Sequence, residues 1–238
     1  MLCNFKSVKE QRCWFGFCVY IWFSMKLDLT RKFCIVGTGG FAREVLCCLL
    51  DIFENNNSSY EDIIYFLDHD GKGAKDELLG FRVLKISEFN PENFQTVVAI
   101  GNPKVRQFVV NDLPKNTKYT TLIHPKAVVS KFAKIGKGSI VTAGCVVTCQ
   151  IIIGKHAQLN LNTTVGHDVT IGDFFTTATN VSVSGICQVG SRVYFGSNAA
   201  IKQGLHVCDD VTIGMGAMVV KSIHSPGTYV GTPAQKIS

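Results

Sequence analysis

From Val129 to Val219 an apolar residue returns at every sixth position with one exception, and no insertion breaks the phase. Fifteen of the sixteen positions are aliphatic or aromatic, and the exception, Thr177, is β-branched. A period of six matches neither the α-helical repeat of about 3.6 nor the simple alternation of a flat strand. It is the hexapeptide period of a parallel β-helix, in which three hexapeptides close one triangular coil. The apolar residue then points into the prism. Two residues earlier the chain is often small (Ala133, Cys145, Ala157, Ala199, Ala217), which suits a corner. Glycine follows the beat at Gly136, Gly154, Gly172 and Gly190, each 18 residues from the last. These glycines are expected to relax the backbone at that corner. Each buried aliphatic contributes roughly 1.5–3 kcal/mol, so about five stacked coils supply their own core.

The preceding hundred residues read differently. Lys32–Val36 is a buried strand, Gly37–Gly40 ("GTGG") a tight turn, and Phe41–Phe53 a helix. Strand, glycine-rich turn and helix together can cradle a phosphate, because glycines admit close approach and the helix start offers free N–H groups. Gly37, Thr38, Gly39 and Gly40 are therefore candidate ligand contacts. A second strand ends at Asp68, suited to a ribose or base, and a third, "TVVAIGN", ends at Asn102, a further candidate substrate contact, where Pro103 can open a helix. Asp68 lies 31 residues after Gly37, and only three or four strands precede Thr121. That spacing favours a mononucleotide-sized ligand over a full dinucleotide. The expected organisation is an extension at 1–24, a Rossmann-like α/β domain at 25–122 and a β-helix with a C-terminal cap at 123–238.

Composition removes several classes. Net charge is +6, with no Lys/Arg block and no basic-aromatic alternation, so nucleic acid is not the expected partner. Ten cysteines show neither a disulfide framework nor a paired CxxC. Cys145, Cys149 and Cys187 read as structural thiols of a cytoplasmic protein. "CWFGFCVYIWF", Cys13–Phe23, is apolar but short of the roughly 20 residues a bilayer requires, and no A-x-A-like site follows. Membrane attachment is not expected.

The hexapeptide rows, together with "FCIVGTGGFAREVL", "IHPKAVV", "LNLNTTVGHDVTIGDF" and "SPGTYVGTPAQKI", resemble the left-handed β-helix acetyltransferases. Within them, the match is to enzymes that acetylate nucleotide-linked amino sugars and to sialic acid O-acetyltransferase-like relatives. The resemblance implies left-handed coils and a homotrimer. It implies acetyl-CoA in the groove between neighbouring prisms and a nucleotide half held by Gly37, Gly39, Gly40 and Asp68. It implies His167 as general base with Asp168 beside it, and Asn160 as a substrate contact. It implies Gly185 as an N–H donor to the thioester carbonyl, with Gly204, Met215 and Gly216 along the cofactor arm. Phe41 replaces a polar residue common in the family. Thr176 replaces a second histidine, whose thioester-side role is either lost or taken by its hydroxyl.

The chemistry suits these residue types. Attack on a thioester requires a neutral amine, and an imidazole, with an ordinary pKa of about 6.5, can take the proton as attack proceeds. His167 falls two residues after the beat at Val165, so it can project from the wall. Neighbours on a regular strand point oppositely, so pairing with Asp168 requires an irregular corner. The expected activity is acetyl-CoA-dependent N-acetylation of a nucleotide-linked 4-amino-4,6-dideoxyhexose by direct transfer. The alternative is O-acetylation of a sugar hydroxyl. A zinc site built from histidines is disfavoured, because His156, His167 and His206 do not fall at coil multiples. His69, His124, His156, His206 and His224 read as surface or corner residues.

Overall fold

The structure, a computed structural model, describes residues 27–71 and 76–238. The apolar segment Cys13–Phe23 lies outside these residues. The first half is an α/β unit: β1 (Lys32–Val36), α1 (Gly40–Asn55), β2 (Ile64–Asp68), β3 (Glu77–Leu78), β4 (Phe81–Lys85), β5 (Phe94–Val98) and α2 (Pro103–Asp112). The sheet order is β3-β4-β2-β1-β5, with β1 parallel to both β2 and β5. The edge hairpin β3–β4 makes five strands in place of three or four. Its turn, Leu79–Gly80, has two successive positive φ angles, as a two-residue hairpin requires.

Apolar residues cover both sheet faces. Val45, Leu49 and Phe53 of α1 pack on Phe33 and Ile35, while Val109 and Leu113 pack on Cys34, Val36 and Leu67. At the end of β1, Gly37 has φ +115°, and a Cβ there would lie 3.1 Å from the Ala99 carbonyl. Only glycine fits that turn without strain.

From Leu122 onward the chain winds into a left-handed β-helix. Residues 18 apart pair in parallel: Val147 with Val165, Val165 with Val183, Ile153 with Ile171. Three sheets form the faces of the prism. The docked face carries Leu122–Ile123, Ile140–Val141, Gln158–Leu159, Thr176–Thr177 and Tyr194–Phe195. The second face carries Val128–Val129, Val146–Val147, Thr164–Val165, Ser182–Val183, Ala200–Ile201 and Met218–Val219. The third carries Lys134–Ile135, Ile152–Ile153, Thr170–Ile171, Gln188–Val189 and His206–Val207. The six-residue beat fills one continuous core. Thr177 belongs to it because its hydroxyl is satisfied: it meets Thr163 Oγ1 at 2.7 Å and accepts the Asn160 N–H at 2.9 Å.

The corners follow a rule the apolar beat does not display. Fourteen residues spaced by six, from Gly138 to Gly216, have φ between +54° and +77°. One left-handed residue per hexapeptide turns the chain. Most are Gly, Asn or Asp, which tolerate that conformation best. The expectation for Gly136, Gly154, Gly172 and Gly190 is therefore corrected: they do not supply the corner φ. A Cβ at any of them would fall within 2.6 Å of the adjoining coil. They are small because successive coils touch there.

The α/β unit lies on the docked face. Outward-pointing Leu122, Ile140, Gln158 and Thr176 are buried beneath it, whereas Lys134, Thr164, Thr170 and Gln188 on the other faces are exposed. Arg106 of α2 is the deepest contact. Its guanidinium donates to the carbonyls of Ile100, Gly101, His156, Phe174 and Phe175, to Gln158 Oε1 and to Thr176 Oγ1.

Candidate active site

His167 and Asp168 stand at the corner between the second and third faces, after the strand Thr164–Val165. Asp168 is one of the left-handed residues, with φ +58°. That twist brings two adjacent side chains, which a regular strand would separate, onto one side. Imidazole Nδ1 and Asp168 Oδ2 are 2.7 Å apart, and both side chains are about half exposed, 50% and 47%. The carboxylate accepts a hydrogen bond from Nδ1–H, which leaves the Nε2 lone pair as the base.

Nε2 faces Gly185, one coil along. A Cβ at 185 would lie 2.7 Å from Nε2, so any other residue would displace the ring. The Ile186 N–H donates to the His167 carbonyl at 2.8 Å, which locks the two coils together. The Gly185 N–H has no acceptor among the described residues. One coil further, Gly204 is exposed with φ +77°, and nothing lies within 4 Å of where its Cβ would be. His167, Gly185 and Gly204 therefore share one edge of the prism.

The other candidates lie elsewhere. Asn160 is at the corner between the docked and second faces, and its side-chain oxygen accepts the Leu161 N–H at 2.7 Å. Met215, 78% exposed, and Gly216 occupy that same corner near the C-terminal end. Gly37, Thr38, Gly39 and Gly40 form the turn into α1, whose N-cap, Gly39, offers no side chain to its free N–H groups. Asp68, at the end of β2, borders a cleft of about 350 Å³ with His69, Asp70, Asp76 and Lys85. Asn102 caps α2, its oxygen accepting from the Lys104 and Val105 N–H groups. Phe41 is half-buried against the apolar cluster beneath α1.

Two expectations are corrected. Thr176 is buried, and its hydroxyl is engaged by Arg106 and by the Gly101 carbonyl, 2.8 and 3.1 Å away. Its one proton is given to the Gly101 carbonyl, and the group is buried beneath the α/β unit, away from any thioester. Cys149 is exposed, one coil before His167, while Cys145 and Cys187 are buried with their thiols turned to backbone carbonyls. His124 and His156 stand at corners, as expected, and are buried there: His124 meets Asp51 Oδ2 at 2.6 Å, and His156 stacks on Phe174. Sequence reasoning missed Arg106; an arginine one turn after a Pro-opened helix start gives no hint that it is buried.

Among the described residues, no three His, Cys, Asp or Glu side chains lie close enough to hold a metal ion. No described helix is long and apolar enough to cross a membrane.

Comparison with known proteins places this geometry in context. Residues 32–113 match the PglD N-terminal domain, and residues 187–221 match the hexapeptide repeat of succinyl-transferase. The GDP-perosamine N-acetyltransferase of Escherichia coli O157:H7 is 32% identical over 176 residues, 72% of this chain and 78% of that one. The acetyltransferase domain of PglB from Neisseria gonorrhoeae, solved also in complex with acetyl coenzyme A, superposes with a TM-score of 0.79 at 29% identity. The alignment covers 87% of this chain and 100% of that domain. PerB from Caulobacter crescentus, solved with CoA and GDP-perosamine, shares the fold, with a TM-score of 0.76 at 24% identity over 87% of this chain and 97% of that one.

Proposed function

This chain belongs to the left-handed β-helix acetyltransferases that act on nucleotide-linked amino sugars, and on that premise we propose that it transfers acetyl from acetyl-CoA to the amine of a nucleotide-linked 4-amino-4,6-dideoxyhexose. The observation that carries this reading is the His167 arrangement: Nδ1 is held by Asp168, and Nε2 lies beside Gly185, whose backbone N–H has no internal acceptor among the described residues.

In this mechanism the sugar amine attacks the thioester carbonyl while Nε2 takes its proton. Asp168 fixes the tautomer and stabilises the imidazolium, as the acidic member of a catalytic triad does. The Gly185 N–H donates to the developing oxyanion, a contribution of about 2.7–4 kcal/mol for one such donor. The tetrahedral intermediate collapses, the C–S bond breaks, and the imidazolium returns its proton to the departing thiolate. No acyl-enzyme is required. Cys145 and Cys187 are buried, and burial pushes the Cys145 thiol above its usual range.

The two substrates are expected to meet between copies of the chain. The corner bearing His167 is the one opposite the docked face, so the glycine turn and the base of one chain lie on different sides of its prism. A nucleotide held at Gly37–Gly40 and Asp68 would present its sugar to the His167 of a neighbour. Asn160, Met215 and Gly216, on a different corner from His167, would contribute to that shared groove. A homotrimer satisfies this geometry.

A panel of GDP-, UDP- and dTDP-linked amino and hydroxy sugars, incubated with acetyl-CoA and read by mass spectrometry, tests the reading. N-acetylated product is expected. Product from hydroxyl acceptors alone would assign the protein to O-acetylation and overturn the proposal.

A further inference from the structure

Of the left-handed corner residues, only one is β-branched. Ile186 has φ +61°, in a region where a β-branched side chain is a genuine outlier. The other branched or ring-bearing bulky corner residues have visible partners, and exposed Gln150 is unbranched at Cβ. Phe174 stacks on His156 with ring centroids 5.2 Å apart, and Arg192 is bidentate to Asp210 at 2.9 and 2.8 Å. Ile186 has no such compensation, and its side chain is 50% exposed. Asparagine or glycine would adopt this backbone without strain, and both occur at equivalent corners, as at Asn162, Asn180, Asn198 and Gly204.

Strain retained at one position points to function there. Ile186 follows Gly185, whose N–H has no acceptor among the described residues, and its own N–H is given to the His167 carbonyl. In the same column, one coil before, is Asp168; one coil after is Gly204, with open space where a side chain would be. An apolar side chain beside the carbonyl-binding N–H, followed by bare backbone, fits a narrow uncharged chain running along the prism edge. The pantetheine arm of a CoA thioester has that shape and chemistry. A charged nucleotide or a polyhydroxylated sugar does not.

We propose that Ile186 is a binding residue for the pantetheine arm of the acetyl donor, kept in left-handed backbone because that contact requires a branched apolar side chain there. This inference rests on the acetyl-transfer reading above.

Calorimetric titration with CoA and thermal melts without ligand, on wild type, Ile186→Asn and Ile186→Val, test it. Ile186→Asn is expected to raise the melting temperature by about 2–8 °C, because the strain is relieved. The same variant should weaken CoA binding about tenfold through loss of the apolar contact. Ile186→Val remains β-branched, so it should gain no stability and bind CoA about fourfold more weakly, one methylene's worth. The KM for the sugar nucleotide should be unchanged in both. Unaltered CoA affinity in Ile186→Asn, or a loss that falls on the acceptor KM, would overturn the inference. Failure of the wild type to bind CoA would instead remove the acetyl-transfer reading, and this inference with it.

Discussion

Two edges of the same prism turn with the same backbone and do opposite things. Between the third and docked faces the left-handed residues are Gly138, His156, Phe174, Arg192 and Asp210. Their side chains stack, pair with Asp209 and Asp210, or lie beneath α2, and Arg106 donates to the carbonyls of His156 and Phe174. Between the second and third faces the corresponding residues are Gln150, Asp168, Ile186 and Gly204, and all four are exposed. One edge is consumed by internal partners and holds the α/β unit. The other keeps an imidazole, a backbone N–H and an apolar side chain available. A repeat that satisfies its core with inward residues is free to give each corner a separate role.

Damage to the two edges should therefore separate activity from stability. His167→Ala should lower kcat by about 10²–10⁴ and leave the melting temperature nearly unchanged, because the ring is half exposed and supports no core. Unaltered kcat would remove the base from the mechanism.

Arg106→Met should act in the reverse sense. It strips donors from buried carbonyls and should destabilise by about 3–5 kcal/mol, with CoA affinity in the surviving folded protein unchanged. Burial pulls the guanidinium pKa down to about 9, yet it stays cationic at neutral pH. A melting temperature within a degree or two of wild type would show that the anchor edge is not anchored there.

His156 gives the anchor edge a pH signature. Burial, then the charges of Arg106 and Lys155, holds its pKa down to about 3 against an ordinary 6.5. Between those values the unfolded chain binds a proton that the folded chain excludes, so stability falls as pH falls through that window and His156 contributes no slope above it. The slope due to this residue approaches about 1.4 kcal/mol per pH unit. Denaturant melts from pH 7 to pH 4 should show it in the wild type and show it reduced in His156→Asn. Identical slopes would contradict the assignment.

Gly185→Ala is the mildest test. Its methyl would meet a half-exposed, movable imidazole, so the fold should persist while kcat falls about 10- to 100-fold from a displaced base. Wild-type kcat in this variant would dissociate Gly185 from the site.

Much of this molecule is legible in its sequence, and for a local reason. The period of six reports the interior of the prism directly, because each coil repeats the same packing environment at the same interval. The strand–glycine turn–helix at Lys32–Phe53 is likewise specified by neighbours in the chain, and Gly37 by a backbone conformation only glycine adopts readily. The pairing of His167 with Asp168 required a corner that sequence could suggest but not establish. The role of Gly136 and its equivalents is legible only in the structure, because a small residue required for backbone twist and one required for coil contact look alike in sequence.

The sequence by itself determined the hexapeptide prism, its 18-residue coil and the α/β unit before it, because each rests on short-range backbone preference and a regular apolar period. Only the tertiary structure decided which face the α/β unit covers, that Thr176 serves Arg106 rather than a thioester, and that Ile186 holds a strained backbone at the free edge. These depend on contacts between residues tens of positions apart, such as Arg106 and Phe174, which no local pattern encodes.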